Sequence, residues 1–287
     1  MGRVAVVTDS SACLPTEQVS GLGIYVVPLR FTVEGKSCRD GIDITASDLY
    51  RLLPRARELP TTSAPSPSDY YAAIQKASVD HESVLIVTIA GRFSSTYQSA
   101  ALAANTARDS LPDIAVTVVD SGTAAGAEGL VALGAARVSA DDGTLEDVCA
   151  AARAVAEQVE LLATLDTLYY LARSGRVPMA AHWANTLIRV NPLLRILPMS
   201  GEARIVRVAR GRASAVRQML ELARRRVAGR WMHGVVLHSL CLDEAERLHD
   251  QVGREFRCRE LYVCDFTPAM GIHTGPGVLG LAYYAED

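Results

Sequence analysis

Short apolar runs alternate with helix-like segments over residues 1–157, and this alternation constrains the fold more than any other feature of the sequence. Strands that are joined through helices predict a parallel sheet with helices packed on its faces. With 287 residues, 49% of them apolar, the chain can bury one large or two medium cores. The expected strands are 4–8, 25–31, 84–89 and 115–119, and the expected helices are 46–53, 67–78, 95–109, 124–138 and 145–158.

The order of elements becomes less regular in the second part of the chain. The sequence therefore predicts an α/β protein of two domains. Residues 1–157 are expected to form a mostly parallel sheet with flanking helices, and residues 158–287 a second α/β or α+β domain. The elements expected in that second domain are helix 166–173, a hairpin of 193–198 with 204–208, an arginine-rich helix, strand 234–238, helix 242–254, and strands 260–264 and 278–284.

A hydroxyl-rich loop containing Ser94, Ser95 and Thr96 joins the apolar run 84–89 to a helical pattern. The free N–H groups of a helix start and these hydroxyls can converge on one anion. No acid, base or nucleophile pair lies beside them, so the loop favours holding a carboxylate or phosphate over transforming one. The alternative is that the serines only cap the helix.

Two further polar loops, 9–11 and 120–123, also follow predicted strands. In open parallel sheets, ligands bind beyond the carboxyl ends of the strands, so we expect these loops to share one cleft with the loop 94–96. The segment 60–68 is expected there too. Its Ser66 and Pro67 alternatively serve only as a helix start.

Nine arginines lie between residues 203 and 230, against the single acid Glu221. Such a segment suits nucleic acid, an anionic membrane surface or an acidic protein partner. The absence of interleaved aromatic residues and of a recognition motif disfavours nucleic acid. The alternative is a solvated helix face.

Several common sites are excluded by their sequence patterns. Residues 275–280 match G-x-G-x-x-G, but only seven residues follow, too few for a dinucleotide-binding helix and its acidic partner. No Walker or nucleophile-elbow pattern occurs, and His233 and His238 have no third ligand at metal spacing, so neither cofactor nor metal is expected. The sequence has no apolar run long enough to span a bilayer and no signal-peptide pattern at its start, so we expect the cytoplasm.

His273 follows a predicted turn at 268–272 and precedes Gly275-Pro276-Gly277, a backbone that fixes where a side chain points. Its imidazole suits donation to an anion, or alternatively satisfies a loop carbonyl. Ser94, His273 and a distant aspartate would also make a hydrolase triad, which stays open as a rival.

Together these segments resemble the DegV family, bacterial fatty-acid-binding proteins, across nearly the whole chain. That resemblance implies a DegV-like fold of two α/β domains. It places the carboxylate of a long-chain fatty acid at their junction and the acyl tail in the C-terminal domain. The matching segments, in the order of the family, are 8–10, 27–29, 62–66, 94–100, 119–121, 168–171 with 175–176, and 273–277.

The resemblance also implies the residues of the site. It puts the carboxylate on the hydroxyls of Thr62 and Ser94, with His273 close by and Thr274 beside it. Ser95 stands where a glycine is usual in the family, and its hydroxyl is an additional candidate ligand. These neutral donors would hold the carboxylate without a lysine or arginine ion pair, which leaves its oxygen nucleophilic.

Family members resemble the lipid-carrying, non-catalytic subunit of a two-protein fatty acid kinase, whose ATP-binding partner phosphorylates the presented carboxylate. Arg210 aligns with a basic region that the resemblance suggests for docking the kinase. The expected partners are therefore a long-chain fatty acid, the kinase subunit and, transiently, a membrane surface, but not nucleic acid. The rival functions are a Ser/His hydrolase of an acyl ester and a regulatory protein that uses the arginine-rich helix.

Overall fold

The computed structural model describes residues 4–56, 58–184 and 190–287. The first part of the chain contains β1 (Val4–Asp9), α1 (Thr16–Gly21), β2 (Tyr25–Val27), β3 (Arg30–Val33), β4 (Lys36–Arg39), α2 (Ala46–Leu52), β5 (Thr61–Ser63), α3 (Pro67–Ala77), β6 (Ser83–Thr88), α4 (Thr96–Ser110), β7 (Ala115–Asp120), α5 (Gly126–Ala140) and α6 (Leu145–Ala156). The remainder contains β8 (Glu160–Thr164), α7 (Tyr169–Ser174), α8 (Pro178–Ala184), β9 (Asn191–Ile196), β10 (Ala203–Ala209), α9 (Arg212–Val227), β11 (Trp231–His238), α10 (Leu242–Glu255), β12 (Arg257–Asp265), α11 (Pro268–Thr274) and β13 (Leu279–Glu286).

The first sheet is parallel, with strand order β2-β1-β6-β7, which confirms the parallel sheet predicted from the alternating pattern. All six residues of β1 and all six of β6 are buried. Strands covered on both faces by helices carry continuous apolar runs, which is why these two strands were readable from the sequence.

The second sheet has six strands in the order β10-β9-β8-β13-β11-β12. Only β11 and β12 pair in parallel, and the other neighbours are antiparallel. The predicted hairpin is confirmed as β9 and β10. Strand β8 was missed because its five buried residues, flanked by helices, are too short a run to distinguish from a helix end.

The predicted single strand 25–31 is wrong. Pro28, which has no N–H to donate, lies between β2 and β3. β2 stays in the parallel sheet, whereas β3 joins a separate antiparallel sheet of order β4-β3-β5. In that small sheet Phe31 pairs with Thr62, which fixes the position of the first predicted ligand residue.

Helix boundaries follow local chemistry. α3 begins as predicted at Ser66-Pro67, where Ser66 and Asp69 form a reciprocal capping box. The predicted helix 166–173 begins three residues late, at Tyr169. The predicted turn 268–272 is wrong, because it is the first part of the helix α11, which starts with Pro268.

α5 packs between the two large sheets. Eleven of its residues are buried, and apart from Glu128 and Ser139 they are glycine, alanine, leucine or valine. A side-chain carbon at Gly126 would lie 3.2 Å or less from Val235 and Leu237 of β11, which shows how closely the helix approaches that strand. One apolar cluster therefore runs from β1 and β6 through α5 to β8 and β11. The domain division at 157/158 stays a prediction.

Candidate functional site

A cavity of about 590 Å³ opens between the first sheet, α11 and the second sheet. This volume lies within the range of about 300–1,000 Å³ that is typical of small-molecule sites. Most of its wall is apolar, and its polar side chains are confined to a few elements. The apolar wall includes Leu29, Ile89, Phe93, Ala124, Leu161, Ala163, Leu165, Leu171, Val177, Leu194, Ile196, Phe266, Met270 and Val278.

The five predicted ligand residues all line this one cavity. They are Thr62, Ser94, Ser95, His273 and Thr274. They come from the strand β5, the loop between β6 and α4, and the last turn of α11. The structure therefore brings together every residue of the predicted set, and their role as ligands stays a prediction.

Two close hydroxyl contacts organise the polar wall. Thr62 Oγ1 lies 2.7 Å from His273 Nε2, and Ser94 Oγ lies 2.6 Å from Thr96 Oγ1. The Thr274 hydroxyl donates to the Met270 carbonyl oxygen at 3.1 Å, so it offers the cavity only lone pairs. Thr62 and Ser94 are thus the hydroxyls best placed to donate to an acceptor in the cavity.

The start of α4 shows whether the serines only cap the helix. Ser95 is its N-cap residue, yet in the part of the chain that the structure describes its hydroxyl makes no capping hydrogen bond. The Ser95 side chain is exposed at the cavity mouth. Thr96 was expected in the anion-binding loop, but it is fully buried and only supports Ser94 from behind.

His273 is neutral at physiological pH. Burial and the positive charge of Arg176 lower the pKa of His273 to about 4. Within the described part of the chain its Nδ1 atom has no hydrogen-bond partner. A neutral imidazole cannot form an ion pair with a carboxylate, and the side-chain contact that His273 makes among the described residues is with Thr62.

The end of α11 requires glycine. Gly275 follows the helix with φ 78°, a conformation that other residues rarely adopt. A side-chain carbon there would lie 2.2 Å from the ring of Tyr170. This close approach packs the end of α11, with His273 and Thr274, against α7.

Two predicted loops do not belong to the cavity. Asp9 and Ser11 are buried with Glu128: the backbone N–H of Ser11 donates to Asp9 Oδ1 at 3.0 Å, and the Ser11 hydroxyl donates to Glu128 Oε2 at 2.9 Å. Asp120 instead accepts the N–H groups of Gly91 and Gly122, at 3.0 and 2.8 Å. The expectation that the loops 9–11 and 120–123 share the ligand cleft was therefore wrong: none of their residues lines the cavity, and internal hydrogen bonds engage the side chains of Asp9, Ser11 and Asp120.

Two charged residues of the wall, Arg92 and Arg176, were missed as site residues. Arg176 donates to the Ser174 carbonyl oxygen at 2.7 Å. It also borders, together with Thr62 and His273, a second and more polar cleft of about 850 Å³. The sequence signal that could have identified Arg176 was the segment 175–176, which matched the family but was given no role.

A hydrolase would need Ser94 bonded to His273, and His273 bonded to a carboxylate. Among the described residues neither contact is present. Ser94 instead contacts Thr96, and His273 contacts Thr62. The arrangement therefore favours binding over nucleophilic catalysis.

The arginine-rich segment is less basic than its sequence indicates, because among the described residues five of its nine arginines pair with acids, three of them with acids from elsewhere in the chain. Arg210 is exposed in the turn between β10 and α9 and, counting only described residues, has no ion-pair partner. The predicted continuous basic patch is thus interrupted. The pairs are Arg204 with Glu202, Arg212 with Asp166 and Glu244, Arg224 with Glu255, Arg225 with Glu221, and Arg226 with Glu160.

Residues 4–56, 58–184 and 190–287 contain neither a candidate membrane span nor a candidate metal site. No helix there has both the length and the apolar character needed to cross a membrane. No group of three or more histidine, cysteine, aspartate or glutamate side chains there is placed to hold a metal ion.

Comparison with known proteins places this geometry in context. The family model "Uncharacterised protein, DegV family" matches residues 3–286. A DegV domain-containing protein from Streptomyces coelicolor is 31% identical over 283 residues, 97% of each chain. The structure of a DegV family protein from Thermus thermophilus, solved for its fatty acid binding, has a TM-score of 0.91 at 30% identity and covers 99% of this chain and 100% of that one. DegV from Bacillus subtilis, a fatty acid binding protein, has a TM-score of 0.86 at 25% identity, covering 100% of each chain.

Proposed function

The chain belongs to the DegV family, and from this premise we propose that it binds one long-chain fatty acid in the cavity lined by Thr62, Ser94 and His273. The observation that carries the proposal is the lining of that cavity, which is mostly apolar and has the hydroxyls of Thr62 and Ser94 at its polar end. The fatty acid binding of the relatives from Thermus thermophilus and Bacillus subtilis supports it.

The acyl tail lies against the apolar side chains of β8, β9 and α7, among them Leu161, Leu171 and Leu194. Each buried methylene contributes about 0.8 kcal/mol, so a dozen of them contribute on the order of 10 kcal/mol before the entropic cost of binding. The tail therefore supplies the affinity, and the head-group residues supply the orientation.

The carboxylate accepts hydrogen bonds from the hydroxyls of Ser94 and Thr62. For the Thr62 hydroxyl to donate to the carboxylate, Thr62 Oγ1 must be the acceptor in its 2.7 Å contact with His273. The Nε2–H of His273 is then the donor. Thr96 likewise donates to Ser94. Arg176, at the border with the polar cleft, adds attraction for the anion without holding it in a bidentate pair.

We further propose that the protein is a non-catalytic subunit that presents this carboxylate to a separate ATP-binding kinase. One carboxylate oxygen attacks the γ-phosphorus of ATP on the partner, the bond from that phosphorus to the bridging oxygen breaks, and acyl phosphate and ADP form. Support comes from Thr62 and His273, which border both the apolar cavity and the open polar cleft. A partner's nucleotide would reach the head group through that cleft.

Arg210 is the proposed docking residue for the kinase, because it is exposed and, of the described residues, no acid neutralises it. The reaction needs ATP, so we place the protein in the cytoplasm, with no resident cofactor. Transient contact with a membrane surface would supply the fatty acid. The division into domains 1–157 and 158–287 fits a ligand whose head group is held mainly by the first and whose tail is held by the second.

The decisive experiment is mass spectrometry of lipid extracted from the purified protein, compared with the mass of the intact complex under native conditions. We expect one fatty acid per chain. A protein that carries no lipid and takes up no added palmitate would refute the proposal. Adding the kinase and ATP should convert the bound lipid to its acyl phosphate, whereas a release of free alcohol from an acyl ester would favour the hydrolase.

A further inference from the structure

Asp40 is a buried carboxylate outside the cavity, with only 2% of its surface exposed. It follows the last residue of β4. Its Oδ2 accepts the Ser10 hydroxyl at 2.6 Å, and its Oδ1 accepts the backbone N–H of Ala269 at 2.7 Å. A buried charge is costly unless it is hydrogen-bonded, and these two contacts offset that cost.

The contact with Ala269 lies at the start of α11, the helix that carries His273 and Thr274. A helix start leaves N–H groups without partners, and an N-cap side chain usually satisfies one of them. Here the residue in the N-cap position, Thr267, makes no capping hydrogen bond within the described part of the chain. Asp40 satisfies the Ala269 N–H instead, from 229 positions away.

The last turn of α11 contacts the small sheet β4-β3-β5, which Asp40 directly follows. Strand β4, which precedes Asp40, pairs with β3, and β3 pairs with β5. β5 carries Thr62, whose hydroxyl contacts His273 near the end of α11. The helix is thus attached to one sheet twice, by Asp40 at its first turn and by Thr62 at its last.

We propose that Asp40 is a positioning residue for the head-group site: by holding the first turn of α11, it places His273 Nε2 within hydrogen-bond distance of Thr62. The proposal concerns the same site as the function proposed above, and its binding measurement rests on that function. Its structural readout needs no ligand. Tyr50 assists, since its hydroxyl donates to the carbonyl oxygens of Phe266 and Thr267 just before the helix, at 2.8 and 3.2 Å.

Three variants separate positioning from stability. Asp40→Ala removes both contacts. Asp40→Asn keeps an oxygen that accepts the Ala269 N–H, so it should rescue the position of α11. Ser10→Ala is the matched control, because it removes the other hydrogen bond to the same carboxylate and leaves the contact with α11 intact.

The first measurement is the nitrogen NMR shifts of the His273 ring in the ligand-free protein. A ring nitrogen that donates to Thr62 gives a distinct shift, so Asp40→Ala should change the His273 shifts. Asp40→Asn and Ser10→Ala should leave them near their wild-type values. Equal changes in Asp40→Ala and Ser10→Ala, or no change in either, would overturn the proposal, because stability alone would then account for the result.

The second measurement compares the affinity for palmitate with that for the alcohol of the same length, which has the tail without the carboxylate. We expect Asp40→Ala to lower the palmitate-to-alcohol affinity ratio roughly tenfold, and Asp40→Asn to restore it. A ratio unchanged in Asp40→Ala overturns the proposal. If wild-type protein binds neither compound, the proposed function fails, and the NMR result still decides the role of Asp40.

Asp40→Glu serves if Asp40→Ala does not fold. It keeps the charge but extends the side chain by one methylene toward α11. We expect the His273 shifts to change and the affinity ratio to fall in this variant as well. Wild-type values for both in a folded Asp40→Glu protein would overturn the proposal.

Discussion

Thr62 Oγ1 lies 2.7 Å from His273 Nε2, although 211 positions separate the two residues in the sequence. One residue comes from a short strand in the first part of the chain and the other from a helix near its end. Both are uncharged, because burial and Arg176 keep the imidazole neutral by lowering the pKa of His273. The polar end of the cavity is therefore built around a pair of neutral groups, with the charge of Arg176 beside them.

Removing the two head-group hydroxyls should weaken fatty acid binding without abolishing it. Ser94→Ala alone should weaken the binding free energy of the fatty acid by roughly 1.5–3 kcal/mol, the contribution of a hydrogen bond to a charged group. The double variant Thr62→Ala with Ser94→Ala should weaken it further. Calorimetric titration with palmitate measures both. Ser99→Ala, on α4 but away from the cavity wall, is the control. Wild-type affinity in the double variant would refute the assignment of the site.

His273 should make folding stability depend on pH. The pKa of His273 is lowered to about 4 from an ordinary value of 6.5. The unfolded chain therefore binds a proton before the folded protein does, and stability is lost as pH falls from 6.5 toward 4. We expect wild-type protein to lose about 2 kcal/mol more between pH 7 and pH 5 than His273→Asn. Urea unfolding at both pH values tests this, and parallel losses in the two proteins would contradict it.

Glu128 should have the opposite pH dependence. Burial, and then the charge of Asp9, raise the pKa of Glu128 well above its ordinary value. Its folded-state pKa exceeds its unfolded one, so stability is present at low pH and is lost as pH rises. Glu128→Gln keeps a neutral hydrogen-bonding group there and removes this loss. Denaturation between pH 5 and pH 8 should show the variant gaining on wild type as pH rises, and a variant that loses ground instead would contradict the prediction.

Gly275→Ala should destabilise the protein by about 1–3 kcal/mol, because its φ of 78° is strained for alanine and the new carbon would lie 2.2 Å from the Tyr170 ring. Gly253→Ala is the matched control. It lies in α10 with no described atom within 4 Å of the new carbon, and alanine should stabilise that helix by roughly 0.5–1 kcal/mol. Thermal unfolding compares them. Equal melting temperatures would show that α11 does not need its glycine.

Arg210→Glu should impair the kinase reaction and spare lipid binding. Arg210 is exposed and lies outside the cavity wall, so its reversal should leave palmitate affinity unchanged. We expect acyl phosphate formation with the kinase and ATP to fall at least roughly tenfold, as for loss of a charged contact at an interface. Arg225→Glu, on α9 and paired with Glu221, is the control. Equal rates for the two variants would argue against docking at Arg210.

Most of what was predicted correctly rests on local signals. The Ser66-Pro67 start of α3, the buried strands β1 and β6 and the β9–β10 hairpin follow from capping chemistry, apolar runs and turn residues within a few positions. The proposed ligand set came from a family resemblance that joined segments far apart in the chain. Without it, the residues pointed to Ser94 and left His273 undecided.

The amino-acid sequence by itself determined where the longer helices and the strands β1, β6 and β7 lie, because apolar residues repeat along each element with its own period. Only the tertiary structure decided which polar groups remain available. It buried Asp9 and Ser11 with Glu128, paired Arg212, Arg224 and Arg226 with distant acids, and brought Asp40 to α11. The reason is that a hydrogen bond or ion pair depends on distances in space. Nothing in the residues around Thr62 indicates that its partner is His273, 211 positions away.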